Sequence, residues 1–390
     1  MSSSSEEEIK QMQMDDYLEN ENNYKKLWKE SCSRYFPASD PSDQISILPA
    51  VKRIIVLGDI HGDLEMTYSL LRVAKLIDNN NKWIGGETVV VQVGDQVDRC
   101  RYKGNPCNNK GATLDDEGND WNILQYFTEL HRMALKDGGA VYSLIGNHEL
   151  MNVDQDLRYV SYEGIKEFSK LKIVDDKKKI ETIEKEFSDE EEMIEYGRKT
   201  RLEAFAPGNP ISEFLACTRQ MAIIIGSNIF VHAGILPKIA KKYSVSNLNK
   251  LLSLYLLDKI SKSEYKDVFV SSEFSPLWTR KIGNMGVNKY KYDKKYRDNE
   301  KECNNILGPL KDIYMVDRIY VGHTPLIEHG IGSICDEKIW LTDFGASRDF
   351  DKYDKTISET SEIKERSRKA QVLEIITDIE KQVTTIKILK

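Results

Sequence analysis

The chain has 390 residues, 40% of them apolar, which is enough to bury a large core as one big domain or two ordinary ones. Its net charge of -7 argues against a surface that binds nucleic acid, because contact with a phosphate backbone needs a basic excess or patch. No apolar run approaches the ~20 residues that span a bilayer, and the polar, acidic start SSSSEEE does not look like a signal peptide. We therefore expect a cytoplasmic protein with no membrane partner.

The predicted elements begin with a polar extension, residues 1–45, which we expect to be disordered at its tip and then helical. Residues 46–390 are predicted to form a single domain with two inserted segments, at about 100–120 and 155–215. The first contains a loop rich in Gly and Asn. This segment is either a loop that determines substrate specificity or a plain surface insertion. The second carries many charges of both signs, which is typical of a solvated helical face that caps a core.

From residue 53 onward, buried strands alternate with amphipathic helices. Five runs rich in β-branched residues end at a glycine next to a polar side chain, namely 53–59, 88–95, 139–147, 222–234 and 317–324. An apolar period near 3.6 predicts helices over 63–77 and 120–135. Residues 371–389 read instead as two alternating strands around a turn near 379–381, which is typical of an antiparallel hairpin. The pattern predicts an α/β (α+β) fold with a mixed sheet.

The six cysteines are scattered through the chain and show no CxxC spacing typical of a zinc or redox site. Free thiols are the favoured interpretation, in keeping with a reducing cytosol. Cys100 and Cys107 bracket a loop, so a local disulfide or a metal clip there is the alternative with less support.

Side chains with metal-binding chemistry collect at the ends of the predicted strands. The segments are GDIHGD (58–63), GDQVDR (94–99), GNHE (146–149), VHAGI (231–235) and VGHT (321–324). They contain four of the six histidines, and we assign the other two, His131 and His329, to structural positions. Imidazole, carboxylate and amide donors together suit Mn, Fe or Zn. More donors are present than one tetrahedral ion uses, which predicts two divalent metal ions.

These five segments, in this order across residues 58–324, resemble the calcineurin-like metallophosphoesterases. The resemblance implies a mixed β-sheet sandwich flanked by helices, with residues 46–390 as the catalytic domain and a helical insertion. It also implies six metal ligands: Asp59, His61, Asp95, Asn147, His232 and His323. Asp95 would bridge the two ions, and His148, oriented by Asp98, would act as the general acid.

Two arginines relate the chain to the phosphoprotein phosphatase branch of that family. Arg99, directly after Asp98, would bind the doubly charged phosphate of a monoester through its planar guanidinium. Arg280 lies in SPLWTR, which, together with LTDFGAS at 341–347, resembles the Shewanella-like, bacterial-type protein phosphatases. Cys100 after Arg99 and Ile145 before Gly146 depart from the eukaryotic serine/threonine enzymes.

The resemblance therefore implies a metal-dependent phosphomonoesterase, with a protein phosphatase of the serine/threonine or tyrosine type as the favoured interpretation. A hydroxide activated by the two metals would attack phosphorus in line while His148 protonates the leaving oxygen. The substrate would be a phosphorylated protein or a small phosphate ester. The alternatives are a phosphohydrolase of dinucleoside polyphosphates and, in another class, a non-catalytic metal-binding scaffold. The oligomeric state is left open.

Overall fold

The computed structural model describes residues 20–35, 46–174, 179–292, 300–353, 368–381 and 383–390. The first helix of the described residues lies at Glu21–Cys32, within the segment 1–45, and the predicted disordered tip falls outside the described residues. The helices are α1 (Glu21–Cys32), α2 (Leu64–Val73), α3 (Asp120–Lys136), α4 (Asn147–Val153), α5 (Tyr162–Glu167), α6 (Glu190–Phe205), α7 (Pro210–Thr218), α8 (Pro237–Ala240), α9 (Val245–Leu256), α10 (Lys266–Phe269), α11 (Lys281–Val287) and α12 (Glu300–Tyr314).

The strands of the described residues form two large mixed sheets and one small hairpin. They are β1 (Ile47–Leu48), β2 (Arg53–Leu57), β3 (Val89–Gln92), β4 (Ala140–Leu144), β5 (Leu171–Val174), β6 (Lys179–Thr182), β7 (Arg219–Gln220), β8 (Ala222–Ile225), β9 (Asn228–Val231), β10 (Arg318–Val321), β11 (Gly332–Ile334), β12 (Ile339–Leu341), β13 (Val372–Asp378) and β14 (Val383–Leu389). One sheet has the order β14-β13-β2-β3-β4-β7, the other β1-β8-β9-β10-β12-β11, and β5 pairs with β6.

The sequence explains why these segments fold as they do. Strand β3 consists of three valines and Gln92, all of them buried, as expected for a strand covered on both faces. Helix α2 begins where the Asp63 carboxylate accepts a hydrogen bond from the Met66 amide at 2.9 Å, and it buries Leu70 and Leu71. One apolar core contains side chains from both large sheets, among them Val91 and Phe230. The predicted mixed β-sheet sandwich flanked by helices is confirmed.

The parallel strands at the centre of each sheet bring their carboxyl ends to one edge. In the first sheet β2, β3 and β4 run parallel, with Leu57 paired to Gln92 and Gln92 to Ser143. In the second sheet β9 and β10 run parallel, with Phe230 paired to Tyr320. The segments predicted to carry metal ligands all follow these five strands, so the fold delivers them to the same region.

One predicted strand is in fact a hairpin. The run 222–234 folds as β8 and β9, which pair antiparallel with Ile225 opposite Asn228. Gly226 makes the tight turn possible, because its φ of 59° lies in the left-handed region that residues with a Cβ adopt at a cost. The run of apolar residues hides this turn, since β8 and β9 are both buried along their whole length.

The prediction of free thiols was wrong, because all six cysteines are paired. Cys32 joins α1 to Cys217 on α7, Cys303 joins α12 to Cys335, and Cys100 joins Cys107 within one loop. The first pair is separated by 185 residues in sequence, so no local spacing reveals it. Only the Cys100–Cys107 bridge was among the alternatives that the sequence raised.

The second predicted insertion packs on helices, with α5 against α3 and α6 against α4 and α7. Residues 101–119 contain no helix or strand, although all of them are described. The segment 155–215 contains α5, the β5–β6 hairpin and α6, and its last residues begin α7. The division of the chain into an extension and one domain with insertions stays a prediction. Within the described residues, no helix is both long and apolar enough to cross a bilayer.

Candidate active site

Asp95 lies at the centre of a cluster of imidazoles. Its Oδ2 atom is 3.4 Å from Nε2 of His232, 3.7 Å from Nε2 of His61 and 3.9 Å from Nε2 of His148. Two groups of donor atoms, each within 4.8 Å of one another, share this carboxylate. One group is His61, Asp95 and His148, and the other is Asp95, His232 and His323.

The remaining predicted ligands lie against these two groups. Asp59 places Oδ2 3.8 Å from Nε2 of His61 and accepts a hydrogen bond from the His323 amide at 3.0 Å. Asn147 places Oδ1 2.9 Å from Nε2 of His232. The fold therefore brings all six predicted ligand side chains together, and all of them are buried.

The backbone is strained at this cluster. Four residues with a Cβ have positive φ here: 49° at His61, 54° at Asp95, 67° at Asp98 and 66° at His323. Such conformations are uncommon outside glycine and persist where the surrounding structure enforces them, often at functional sites. The strain is consistent with a site whose side chains must converge on one point.

Backbone carbonyls orient two of the imidazoles. Nδ1 of His61 lies 3.2 Å from the Val97 carbonyl, and Nδ1 of His232 lies 2.9 Å from the Val93 carbonyl. An Nδ1–H that donates to a carbonyl leaves Nε2 with a free lone pair. In both rings that Nε2 faces Asp95, which is the orientation that a metal ligand requires.

The electrostatics of the cluster fit a bound cation. Burial raises the pKa of Asp59 well above its usual value, and the charges of Asp343 and Asp95 add to that effect. Burial also lowers the pKa of His61, His232 and His323, which keeps these rings neutral. Crowded carboxylates without a nearby cation are unfavourable, and neutral imidazole is the form that binds metal. The donor set thus suits divalent metal ions.

His148 is paired with Asp98 as the sequence predicts. Nδ1 of His148 lies 2.9 Å from Oδ2 of Asp98, and its Nε2 points toward Asp95. Burial lowers the pKa of His148 to about 3, and burial raises that of Asp98 to about 6 against the opposing influence of Arg201. The pairing allows Asp98 to hold the ring in one tautomer with Nε2 directed into the cavity.

A cavity of about 710 Å³ opens onto these groups. Arg280 lies at its rim, with Nη1 donating to the His323 carbonyl at 3.1 Å. Its walls also include aromatic side chains: Tyr102, Tyr159, Trp278, Phe350 and Tyr353. Another cavity of about 730 Å³ contains none of the predicted ligands among its described lining residues, so chemistry and not volume identifies the site.

The structure does not bring Arg99 to this cavity. Its Nη1 donates to Glu117 at 2.7 Å and lies 3.6 Å from Asp63, and neither of these two residues lines the cavity. Arg101 lines the cavity instead of Arg99. Its Nη2 lies 2.7 Å from Nδ1 of His61, and its Nη1 lies 3.3 Å from Nε2 of His148.

Two site residues escaped the sequence prediction. No local signal marks Arg101, whose guanidinium lies between the rings of Tyr159 and Phe350, at 5.5 and 5.1 Å from their centroids. Asp343 lies in the segment LTDFGAS on which the resemblance rests, and it follows the short buried strand β12 in the same way as the predicted ligands follow theirs, but it was not predicted as a site residue. Burial raises the pKa of Asp343 to about 6.

The two histidines assigned to structural positions lie outside the cavity. Nδ1 of His131 accepts a hydrogen bond from the Val141 amide at 3.1 Å, and burial lowers the pKa of this ring to about 4. The ring of His329 stacks on Tyr290 with centroids 3.7 Å apart.

Residues 52–326 match the family model described as calcineurin-like phosphoesterase. The chain is 29% identical over 337 residues to Shewanella-like protein phosphatase 2 of Arabidopsis thaliana, with 82% of this chain and 78% of that protein covered. It is 28% identical over 299 residues to Shewanella-like protein phosphatase 1 of Plasmodium berghei, with 76% and 67% covered.

The fold is also that of a solved structure described as a cold-active protein-tyrosine phosphatase from a psychrophilic Shewanella species. The two share a TM-score of 0.57 and 18% sequence identity, and the match covers 90% of this chain and 85% of that one. At this identity the match speaks for the fold alone.

Proposed function

This chain belongs to the calcineurin-like phosphoesterase family, and on that premise we propose that it is a two-metal phosphomonoesterase that acts on phosphorylated proteins. The predicted enzyme class, a metallophosphoesterase and phosphoric monoester hydrolase, is confirmed, as is the predicted likeness to Shewanella-like protein phosphatases. The number of metal ions, the roles of individual residues and the protein substrate are the steps proposed here.

The observation that carries the proposal is the position of one carboxylate between two sets of donors, beside a histidine paired with a second carboxylate. Asp95 is shared by both donor groups, and His148 faces it while held by Asp98. We propose Asp59, His61 and Asp95 as ligands of one ion, and Asp95, Asn147, His232 and His323 as ligands of the other. Two divalent ions, Mn, Fe or Zn, would supply Lewis acidity and activate the water nucleophile.

His148 is proposed to donate a proton to the leaving oxygen. A neutral ring that donates its Nδ1–H to Asp98 has no proton on Nε2, so the proposed acid is the imidazolium, whose Nε2–H faces the cavity. Burial disfavours this imidazolium, and the negative charges of Asp98 and of a bound phosphate group favour it.

Arg101 and Arg280 are proposed to bind the phosphate oxygens. If Nε2 of His61 binds metal, its Nδ1 carries a proton and donates to Val97, so it cannot also accept from Arg101. Nη2 of Arg101 also donates to the Asp98 carbonyl, so one of its two N–H groups is then left for a phosphate oxygen, and its Nε has no hydrogen-bond partner among the described residues. Asp349 fixes the loop by accepting from the Arg101 amide.

The two arginines of this loop should respond differently to substitution. We expect Arg101→Ala to lower kcat/KM on p-nitrophenyl phosphate by about 10- to 100-fold, the value of hydrogen bonds to a charged group. Arg99→Ala serves as the matched control, and since its ion pairs face Glu117 and Asp63 it should lower thermal stability with less than a tenfold loss of kcat/KM. A larger kinetic loss for Arg99→Ala than for Arg101→Ala would contradict this assignment.

The surface next to the cavity supports a protein substrate. Tyr102, Arg158 and Tyr159 line both the catalytic cavity and a second cavity of about 650 Å³. The two predicted insertions contribute to this second space, through Cys107 and Asn108 on one side and Arg198 and Leu202 on the other. The adjoining cavities offer room for the chain on one side of a phosphorylated residue.

A substrate panel tests the proposal. With Mn, Fe and Zn supplied in turn, we measure kcat/KM on peptides with phosphoserine, phosphothreonine and phosphotyrosine, and on dinucleoside polyphosphates. We expect the phosphopeptides to be hydrolysed with higher kcat/KM. A preference for dinucleoside polyphosphates would replace the proposal with the nucleotide phosphohydrolase alternative, and bound metal without turnover on any phosphate would favour a scaffold.

The cytoplasmic location stays a prediction, and the disulfides weigh against it. Disulfides persist in oxidising compartments and are rare in the cytosol. With three of them in one chain, we propose that the folded protein works in an oxidising compartment. Alkylation of the protein directly from acid-quenched cells should find no free thiols, whereas six alkylated cysteines would restore the cytoplasmic prediction.

A further inference from the structure

Arg201 is a fully buried arginine on α6, within the segment predicted to cap the core. Its side chain has 0% exposure, which is rare for arginine unless every donor is paired. Nη2 lies 2.8 Å from Oδ2 of Asp120, Nε donates to Oδ1 of Asn152 at 2.8 Å, and Nη1 donates to the Gly164 carbonyl at 3.0 Å. The rings of Phe168 and Phe205 flank the guanidinium at 4.9 and 5.2 Å.

The same guanidinium reaches the carboxylate that orients His148. Nη2 of Arg201 is 3.3 Å from Oδ1 of Asp98, and Nδ2 of Asn152 donates to that same oxygen at 2.9 Å. The other oxygen of Asp98 meets Nδ1 of His148 at 2.9 Å. Asn152 also donates to the His148 carbonyl at 3.0 Å. One oxygen of Asp98 is thus held from the α6 side and the other holds His148.

We propose that Arg201 is a positioning residue for His148, so that the inserted segment fixes the orientation of the general acid through Asp98. This inference rests on the proposed function of His148. Without Arg201, Asp98 and Asp120 would be two buried carboxylates with no cation between them, and Asp98 could no longer keep one oxygen toward His148. Lysine cannot replace the planar fork that reaches both carboxylates and Asn152.

A purely structural role for Arg201 would also destabilise the protein when the residue is changed, so stability alone does not decide. Proton donation matters most when the leaving oxygen is a poor leaving group, such as the alkoxide of serine. It matters little for 2,4-dinitrophenolate, which departs without a proton. The ratio of kcat/KM on a phosphoserine peptide to kcat/KM on 2,4-dinitrophenyl phosphate therefore reports the positioning of His148 separately from folding.

The experiment compares Arg201→Lys with Arg219→Lys in the full chain loaded with metal. Arg219 is also fully buried, but its guanidinium donates to Gln96, Thr128 and the Leu124 carbonyl and makes no contact with Asp98. We expect the ratio to fall by about 10- to 100-fold in Arg201→Lys, the usual cost of losing a partner that orients a catalytic or ligating histidine. In Arg219→Lys the ratio should stay within about twofold of wild type while the thermal midpoint falls.

Equal losses on both esters in Arg201→Lys, or the same fall of the ratio in Arg219→Lys, would overturn the inference. If Arg201→Lys does not fold, the same two esters are compared in Asn152→Ala, which removes the second donor to Oδ1 of Asp98. An unchanged ratio of kcat/KM in Asn152→Ala would also overturn the inference. The variant His148→Asn distinguishes a failure of the proposed acid role of His148 from a failure of the proposed positioning role of Arg201. If that variant keeps the wild-type ratio, the proposed acid fails; if its ratio falls while that of Arg201→Lys does not, only the inference on Arg201 fails.

Discussion

Replacing Asp95 with asparagine should lower kcat/KM on p-nitrophenyl phosphate by at least about 10³-fold. Asp95 is the one carboxylate common to both donor groups, so losing its charge weakens both proposed ions together. Metal ions at such sites contribute several kcal/mol of transition-state stabilisation, and about 4 kcal/mol corresponds to this factor. The metal content of the purified variant should fall with the activity.

Asp63→Asn is the matched control for that substitution. Asp63 is as deeply buried as Asp95, but its carboxylate caps α2 and lies outside both donor groups. Its loss should lower thermal stability and leave the metal content at the wild-type level. Asp95→Asn with a full complement of metal and less than a tenfold kinetic loss would show that the centre has been placed on the wrong carboxylate.

Replacing His148 with asparagine should lower kcat on a phosphoserine peptide by about 10²- to 10⁴-fold, the usual contribution of general acid catalysis. The loss on 2,4-dinitrophenyl phosphate should be much smaller, because its leaving group needs no proton. The measurement is kcat on both esters at saturating metal, together with the metal content of the variant.

This design also tests a competing role for His148. Its Nε2 lies within 3.9 Å of Oδ2 of Asp95, so geometry alone would allow it to bind metal. A ligand role predicts a loss of metal and similar kinetic losses on both esters. An acid role predicts unchanged metal content and a loss confined to the poor leaving group.

The strand-end pattern in the sequence located most of this site for a physical reason. Asp59 and Asp95 follow β2 and β3, and His232 and His323 follow β9 and β10, all parallel strands near the middle of their sheets. Parallel strands place their carboxyl ends at one edge, so a polar residue after each strand reaches a common region. Burial on both faces makes such strands easy to recognise from sequence.

What the sequence did not reveal depends on contacts between distant segments. Arg101 rather than Arg99 faces the cavity, in a loop that begins at Asp98, a residue with positive φ, and contains the Cys100–Cys107 bridge. Its neighbour Phe350 comes from a segment that no pattern links to this loop. The pairing of residues 185 apart in the Cys32–Cys217 disulfide is likewise a property of the folded chain.

The burial of Arg201 was also not predictable from the sequence. In sequence it belongs to a run of mixed charges, which normally marks a solvated surface. In the structure that run forms α6, whose buried face carries Arg201 to Asp98 and Asp120. Charge composition predicts the exposed face of such a helix, but it does not predict that Arg201 is buried.

The central claim, a catalytic centre of two metal ions bridged by Asp95, is tested most directly by titrating the metal-stripped chain. The protein is freed of metal with a chelator, and Mn, Fe or Zn is added in steps while bound metal and hydrolysis of p-nitrophenyl phosphate are both measured. We predict that activity rises until two ions are bound per chain and then stays constant. Full activity with one ion per chain, or activity that survives complete removal of metal, would contradict the claim.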